Sequence, residues 1–245
     1  MSQLRDASIN QIFGLFRMIQ AGIAESTCLQ SATQKCTQIL FEAFRSSLVL
    51  VRAFATVEFR CMPPADRKFV TSFAVQNRVA KLIDDGTPVL SLLGTQGMEP
   101  AWNDRTQSRR HLGIPLVSSE FARAIPMVAR LMDEMGIGLG WIDDRDSKIV
   151  VQHRGTSAGV FYVSDAATAV DSQARKVIPA QDFVTKYGVR TVFGIGGTYM
   201  DRMFITILLF TREDVPRTQA EHFMPLINSV KGATVKLATS GLIYA

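Results

Sequence analysis

The densest concentration of ligand-binding side chains lies between Trp102 and His111. There WNDRTQSRRH supplies an indole, a carboxylate, the guanidinium groups of Arg105, Arg109 and Arg110, and an imidazole. Such a set can cradle an anionic or aromatic ligand through charge-assisted hydrogen bonds and cation–π contacts. The same residues fit a structural role, a loop pinned by Trp102 in the core and by Asp104 pairing with Arg105 or Arg109. The surrounding segment, Thr95 to Ser118, contains Pro100 and Pro115 and reads as a polar loop. Loops of this length are uncommon unless functional, which keeps the binding reading open.

Other reactive groups are sparse. His111, His153 and His222 are the only histidines, and no HxH or HExxH spacing joins them, so no metal site is expected. Cys28, Cys36 and Cys61 are an odd number without CxxC spacing, which reads as reduced thiols in a cytoplasmic protein. Cys28 and Cys36 fall on a predicted helix and behave as small hydrophobes, whereas Cys61 follows Arg60, which favours a thiolate. Gly155, Ser157 and Gly159 have the GxSxG spacing, but GVFYV follows and reads as sheet or loop, not as the helix that a nucleophile elbow needs, so no Ser-His-Asp hydrolase is expected. Gly194, Gly196 and Gly197 do not complete a dinucleotide fingerprint, because Tyr199 stands where the third glycine belongs. They read as strand and turn glycines that need unusual φ.

Composition bounds the rest. The chain has 245 residues and 47% hydrophobic content, enough for a substantial core. No apolar run reaches 18 residues, and MSQLRDASINQIF lacks the order of a signal peptide, so no membrane association is expected. The net charge of +5 is spread along the chain without a nucleic-acid-binding signature, so no nucleic-acid partner is expected either.

The elements that must position these residues follow from periodicity. Leu4 to Ala24 carries a helical stripe of Ile9, Ile12, Phe13, Phe16, Ile19 and Ile23. Thr27 with Gln30 matches a capping box opening a second helix through Phe44. Ser47 to Cys61 is rich in β-branched and aromatic residues and predicts a strand, stopped by Pro63-Pro64. Asp66 to Asp84 has helical spacing, and Val89 to Gly94 predicts a short strand. Ser118 or Ser119 caps a helix that Gly136 ends. Leu139 to Ile142 and Ile149 to Gln152 predict strands, and Gly159 to Val163 continues the sheet or enters a loop. Asp165 to Lys176 reads as a surface loop, and Pro179 to Tyr187 as a short helix ended by Gly188. Val189 to Gly196 alternates, whereas Met203 to Phe210 is apolar on both faces, so the two predict an antiparallel hairpin whose second strand is central. Thr218 and Glu221 form a second capping box, opening a helix that buries Phe223, Ile227, Val230 and Leu237. The order predicts one α+β domain, 1–245, around an antiparallel sheet, with 1–45 as an N-terminal helical extension.

Two stretches carry a family resemblance. IPAQDFVTKYGVRTVFGIGGTYMDRMFITILLF, followed by a terminal amphipathic helix, resembles the last third of GAF-type sensory domains of bacterial signalling proteins. LLGTQGMEPAWNDRTQSRRHLGIPL, with PMVARLMDEMGI after it, is similar to an upstream segment of the same domains. The resemblance implies helices on one side of a sheet and a small-molecule pocket on the other. It also implies a homodimer through the terminal helices Leu4–Ala24 and Thr218–Ser240, and a signalling partner such as a histidine kinase. No output module follows in the sequence, so a detached sensor, a partner-binding regulator and a piece of something longer are all expected forms. Sensory domains of this kind sometimes carry tetrapyrroles, but no cysteine here obviously attaches a bilin, and the residues name no cofactor.

The expectation is therefore a GAF-like sensory or regulatory domain without catalysis of its own. Its ligand would lie between the sheet and the loops around 95–118 and 155–178, against Trp102, Arg105, Arg109, His111, Phe161 and Phe193. Two alternatives belong to other classes. One is a thiol-dependent enzyme of GAF fold acting on methionine sulfoxide, which needs an exposed thiolate and a resolving partner. The other is a protein-interaction scaffold.

Overall fold

The structure, a computed structural model, describes residues 3–108, 111–144, 158–199 and 203–245. Two N-terminal helices, α1 (Ile9–Ile23) and α2 (Leu29–Ala43), precede β1 (Leu48–Glu58) and α3 (Pro64–Gln76). Then come β2 (Pro88–Gly97), β3 (Gly113–Pro115), α4 (Ser119–Ala124), α5 (Pro126–Glu134) and α6 (Gly140–Asp143). The chain continues through β4 (Ala158–Val163), α7 (Gln181–Tyr187), β5 (Thr191–Tyr199) and β6 (Met203–Thr211), and closes with α8 (Arg217–Glu221) and α9 (Met224–Thr239).

The strands form one sheet in the order β3-β2-β1-β6-β5-β4, every neighbouring pair antiparallel. β5 and β6 pair from Thr191 with Thr211 to Tyr199 with Met203, and β6 lies centrally between β1 and β5. An unbroken apolar run belongs in such a place, because both of its faces are covered.

The two faces bury separate cores. On one, α1, α2 and α9 cover Val51, Ala53 and Ala55 of β1, Phe193 and Ile195 of β5, and Ile205, Ile207 and Leu209 of β6. On the other, Phe54, Phe161, Phe204, Leu208 and Phe210 meet Val128, Leu131 and Met132 of α5, Trp141 of α6 and Val184 of α7. The layout is α+β, one antiparallel sheet with helices packed on both faces.

Gly94 shows how tightly the first face is closed. A Cβ there would come within 2.6 Å of the Thr33 carbonyl oxygen on α2, so the helix backbone rests directly on β2. Gln34 of α2 completes the contact: its amide nitrogen donates to the Thr95 carbonyl and its oxygen accepts from the Thr95 N–H. The glycines of β5 serve space rather than backbone angle. None has a positive φ, and a Cβ on Gly194 would lie 2.5 Å from Leu208 Cδ2.

Several boundaries differ from the sequence expectation. α1 starts at a Ser8–Gln11 capping box, and α2 is capped by Cys28 and Ser31 rather than by Thr27 and Gln30. The expected C-terminal helix is two, α8 after Pro216 and α9 with Pro225 in its first turn, so Thr218 caps neither. Proline lacks the N–H that a continuous helix would use, so the chain restarts there. Leu139 to Ile142 is not a strand: Gly140–Asp143 is one helical turn. A short apolar run has no periodicity to separate the two states. β3 was hidden in the polar loop, and Gly159 to Val163 is the edge strand β4. The expected strand Ile149–Gln152 lies outside the described residues.

Candidate functional site

The second face of the sheet is not filled. A cavity of about 520 Å³ lies over it, within the range of small-molecule sites. Leu50, Arg52 and Phe54 of β1, Leu90 of β2, Ile114 of β3, and Leu208 and Phe210 of β6 make its floor. Met127, Val128 and Leu131 of α5 form one wall, and Trp102, Phe183 and Tyr187 form another. The exposed residues Gln107, Asp182 and Lys186 mark its solvent side. A second hollow, of about 580 Å³, shares His111, Pro179 and Ala180 with the first.

The aromatic wall joins a loop to a helix. The Trp102 ring lies 4.8 Å from Tyr187 and 5.6 Å from Phe183, both edge-on, and Phe183 reaches Phe210 on the floor at 5.6 Å. Offset and edge-on geometries of this kind are the favourable ones. The Tyr187 hydroxyl donates to Glu99 at 2.9 Å and fixes the same junction.

The polar segment after β2 is held by that strand's open edge. β3 pairs only with Val89 to Ser91, which leaves the later backbone of β2 to find other partners. Arg105 Nε donates to the Leu92 carbonyl at 2.6 Å, and Asn103 Oδ1 accepts from the Gly97 N–H at 2.8 Å. Asp104 caps the following turn, accepting from the N–H and hydroxyl of Thr106, which holds its carboxyl below the usual range.

Arg52 is the polar residue that sequence reasoning missed. It stands in the middle of LVLVRAFATV, a lone cation in an apolar strand, and that isolation was the available signal. Its cross-strand neighbours are Leu208 on β6 and Thr95 on β2. Its Nε is buried without a hydrogen-bond partner among the described residues, and burial lowers the guanidinium from its ordinary value to about 10. Desolvation disfavours the charged form, and no anion among the described residues offsets it.

The expected ligand-contacting residues separate. Trp102 and His111 line the cavity. Arg105 is buried and directed away from it, in an ion pair with Asp66 and 5.4 Å from the Tyr244 ring. Of the two partners expected for Asp104, Arg105 pairs with Asp66 instead, and Arg109 lies outside the described residues. Phe161 is fully buried in the core of the cavity-side face but does not line the cavity. Phe193 is fully buried on the opposite face, 5.6 Å from Phe223. Its partner across the ladder is Leu209, whose side chain points away from the Leu208 and Phe210 floor. Arg109 lies outside the described residues, as does His153.

The thiols are dispersed. Cys36 is fully buried and pushed up to about 12, so it is protonated at neutral pH. Cys28 is buried at the start of α2, and Cys61 is exposed after β1, away from the cavity lining. Among the described residues, no group of three histidine, cysteine or acidic side chains could hold a metal ion. No described helix is long and apolar enough to cross a membrane.

No protein-family model matches the chain, and no curated protein sequence is significantly similar to it. Solved structures resemble it more broadly. The free methionine-R-sulfoxide reductase from Neisseria meningitidis, in complex with its substrate, aligns over 98% of each chain at 12% identity and TM-score 0.48. The phycoerythrobilin-bound GAF domain of a cyanobacterial phytochrome aligns over 94% of this chain and 97% of its own, at 14% identity and TM-score 0.49. The phycocyanobilin-bound GAF domain of a cyanobacterial phytochrome covers 94% and 96%, at 14% identity and TM-score 0.48. At such identity and overlap the likeness transfers no ligand and no activity to this chain.

Proposed function

We propose that the chain is a sensory or regulatory domain that binds a small molecule in the cavity over the second sheet face, without catalysis of its own. The observation that carries this reading is the cavity of about 520 Å³, apolar in most of its lining and bounded by a loop, a helix and the central strands. Trp102 and His111 are its ligand contacts from the polar segment, and Arg109 belongs to the same proposal by sequence position alone. In this reading the protein is cytoplasmic and passes its signal to a partner such as a histidine kinase.

A homodimer remains part of the proposal, carried now by one terminal helix. α9 spends Leu226, Ile227 and Val230 on its own core, whereas α1 leaves Ile9 and Phe13 more than half exposed, at 55% and 57%. Light scattering showing monomer alone at working concentrations removes it.

Cavity filling tests the ligand reading. Leu208 is on the floor, so Leu208→Trp places an indole in the open space. Thermal unfolding with a panel of small aromatic acids, amides and nucleotides is the readout. A ligand that raises the wild-type Tm, as binding to the folded state must, has no effect on the filled variant. A ligand whose effect survives filling is bound elsewhere and sinks the assignment. Turnover of free methionine sulfoxide that is lost in Cys61→Ser would favour the thiol enzyme instead.

A further inference from the structure

The apolar lining of the cavity does not account for Arg52. We propose that the cavity takes an aromatic or other apolar molecule bearing a single carboxylate, with that carboxylate seated on Arg52 and beside the hydroxyls of Thr95 and Ser108. The inference deepens the binding reading above and rests on it.

Three buried polar atoms converge on this chemistry. Arg52 Nε, Thr95 Oγ1 and Ser108 Oγ are each buried without a hydrogen-bond partner among the described residues. Thr95 is the cross-strand partner of Arg52, so both side chains rise from the same face of the sheet. Ser108 lines the same cavity from the loop side. Guanidinium N–H groups only donate and hydroxyls can donate, whereas an ionised carboxylate only accepts, through two oxygens that suit a planar fork. Leaving such donors unpaired in a buried site is costly, and an acceptor anion relieves Arg52 and Ser108, which line the cavity; Thr95 stands beside Arg52 behind that lining.

Charge selects within the class. Asp182 and Lys186, the other charged lining groups, are exposed on the solvent side, and Lys186 Nζ sits 4.9 Å over the Tyr187 ring. Among the described residues the interior therefore offers the Arg52 guanidinium as its positive charge. A carboxylate matches it, and a cation is repelled. Trp102, Phe183 and Tyr187 supply the aromatic surface for the body of the molecule.

Naphthalene-2-carboxylate and naphthalene-2-carboxamide separate the charge from the shape. In titration calorimetry with the full chain near neutral pH, the acid binds the wild type about ten- to hundredfold more tightly than the amide. Arg52→Met removes that preference, and Thr95→Val lowers it by a smaller factor. Near-UV circular dichroism establishes that each variant is folded. If Arg52→Met does not fold, the wild-type comparison and Thr95→Val still decide the matter. Equal affinity of both probes for the wild type, or a preference that survives in Arg52→Met, overturns the inference while leaving the cavity as a binding site. Binding of neither probe overturns the cavity reading, and this inference with it.

Discussion

One sheet presents two faces that are finished differently. On the face under α1, α2 and α9, the Tyr199 hydroxyl meets Thr234 at 2.7 Å and Gln34 satisfies the Thr95 backbone, while the hydroxyls of Ser26 and Ser229 are buried without a partner among the described residues; no charged group is among these orphans. On the other face the same strands carry a cavity, and Arg52 stands in it without a counter-ion among the described residues. Neighbouring side chains of one strand thus serve opposite purposes. Ile207 helps close a core and Leu208 helps floor a hollow. A fold that needed only stability would have no reason to keep a guanidinium on the unfilled side, desolvated and without a counter-ion among the described residues. The difference between the faces is the physical argument for a ligand.

The comparison breaks first at the closed face. Phe193 is fully buried between the sheet and Phe223, so Phe193→Ala loses about 3–5 kcal/mol in denaturant unfolding. A loss below about 1 kcal/mol would mean that this face is no better packed than the other. Arg52→Met has the opposite sign. Removing a desolvated charge that has no counter-ion among the described residues stabilises the ligand-free protein by about 1–3 kcal/mol. A destabilisation of similar size would mean that Arg52 has a partner in the free protein, and would remove the contrast.

A smaller effect comes from pH. Burial raises Cys36 from 9.0, and Tyr199 and Tyr244 from 10.0, each to about 12. Their contribution is fully present below pH 9 and is lost as pH rises toward 12, because the unfolded chain ionises first. Arg52 acts in the other direction: its penalty is present below about pH 10 and is relieved above it, as the folded-state guanidinium loses its proton first. Stability therefore falls between pH 9 and 12 in the wild type, and falls more steeply in Arg52→Met, which lacks the relief. Identical slopes in the two proteins would show that the Arg52 environment is not desolvated.

How much of this was legible in the sequence differs by face as well. The central hairpin could be read because alternation in 189–196 and an apolar run in 203–210 are local patterns. The central place of the second strand and the α+β class followed from them. α6 could not be read, because four residues hold no period, and β3 could not, because GIP pairs with a strand more than twenty residues away. The site was only partly visible. Composition pointed to the polar segment, and Trp102 and His111 do reach the cavity. Arg105, which looks equally available in the sequence, is committed to Asp66 and the Leu92 carbonyl, a tertiary fact. Phe193 was placed one side chain out of register, and in a strand that reverses the face. Arg52 carried its signal in plain view, as a charge within LVLVRAFATV. Reading it required knowing which face that position serves.

Ile207 and Leu208 give the most direct test, since they are adjacent on β6 and serve opposite faces. Ile207→Trp and Leu208→Trp are compared by equilibrium denaturation against the wild type. The account predicts a loss of about 3 kcal/mol or more for Ile207→Trp, which overpacks a closed core, and a change within about 1 kcal/mol for Leu208→Trp, which fills space. Equal losses in the two variants would contradict it, because the second face would then be as full as the first.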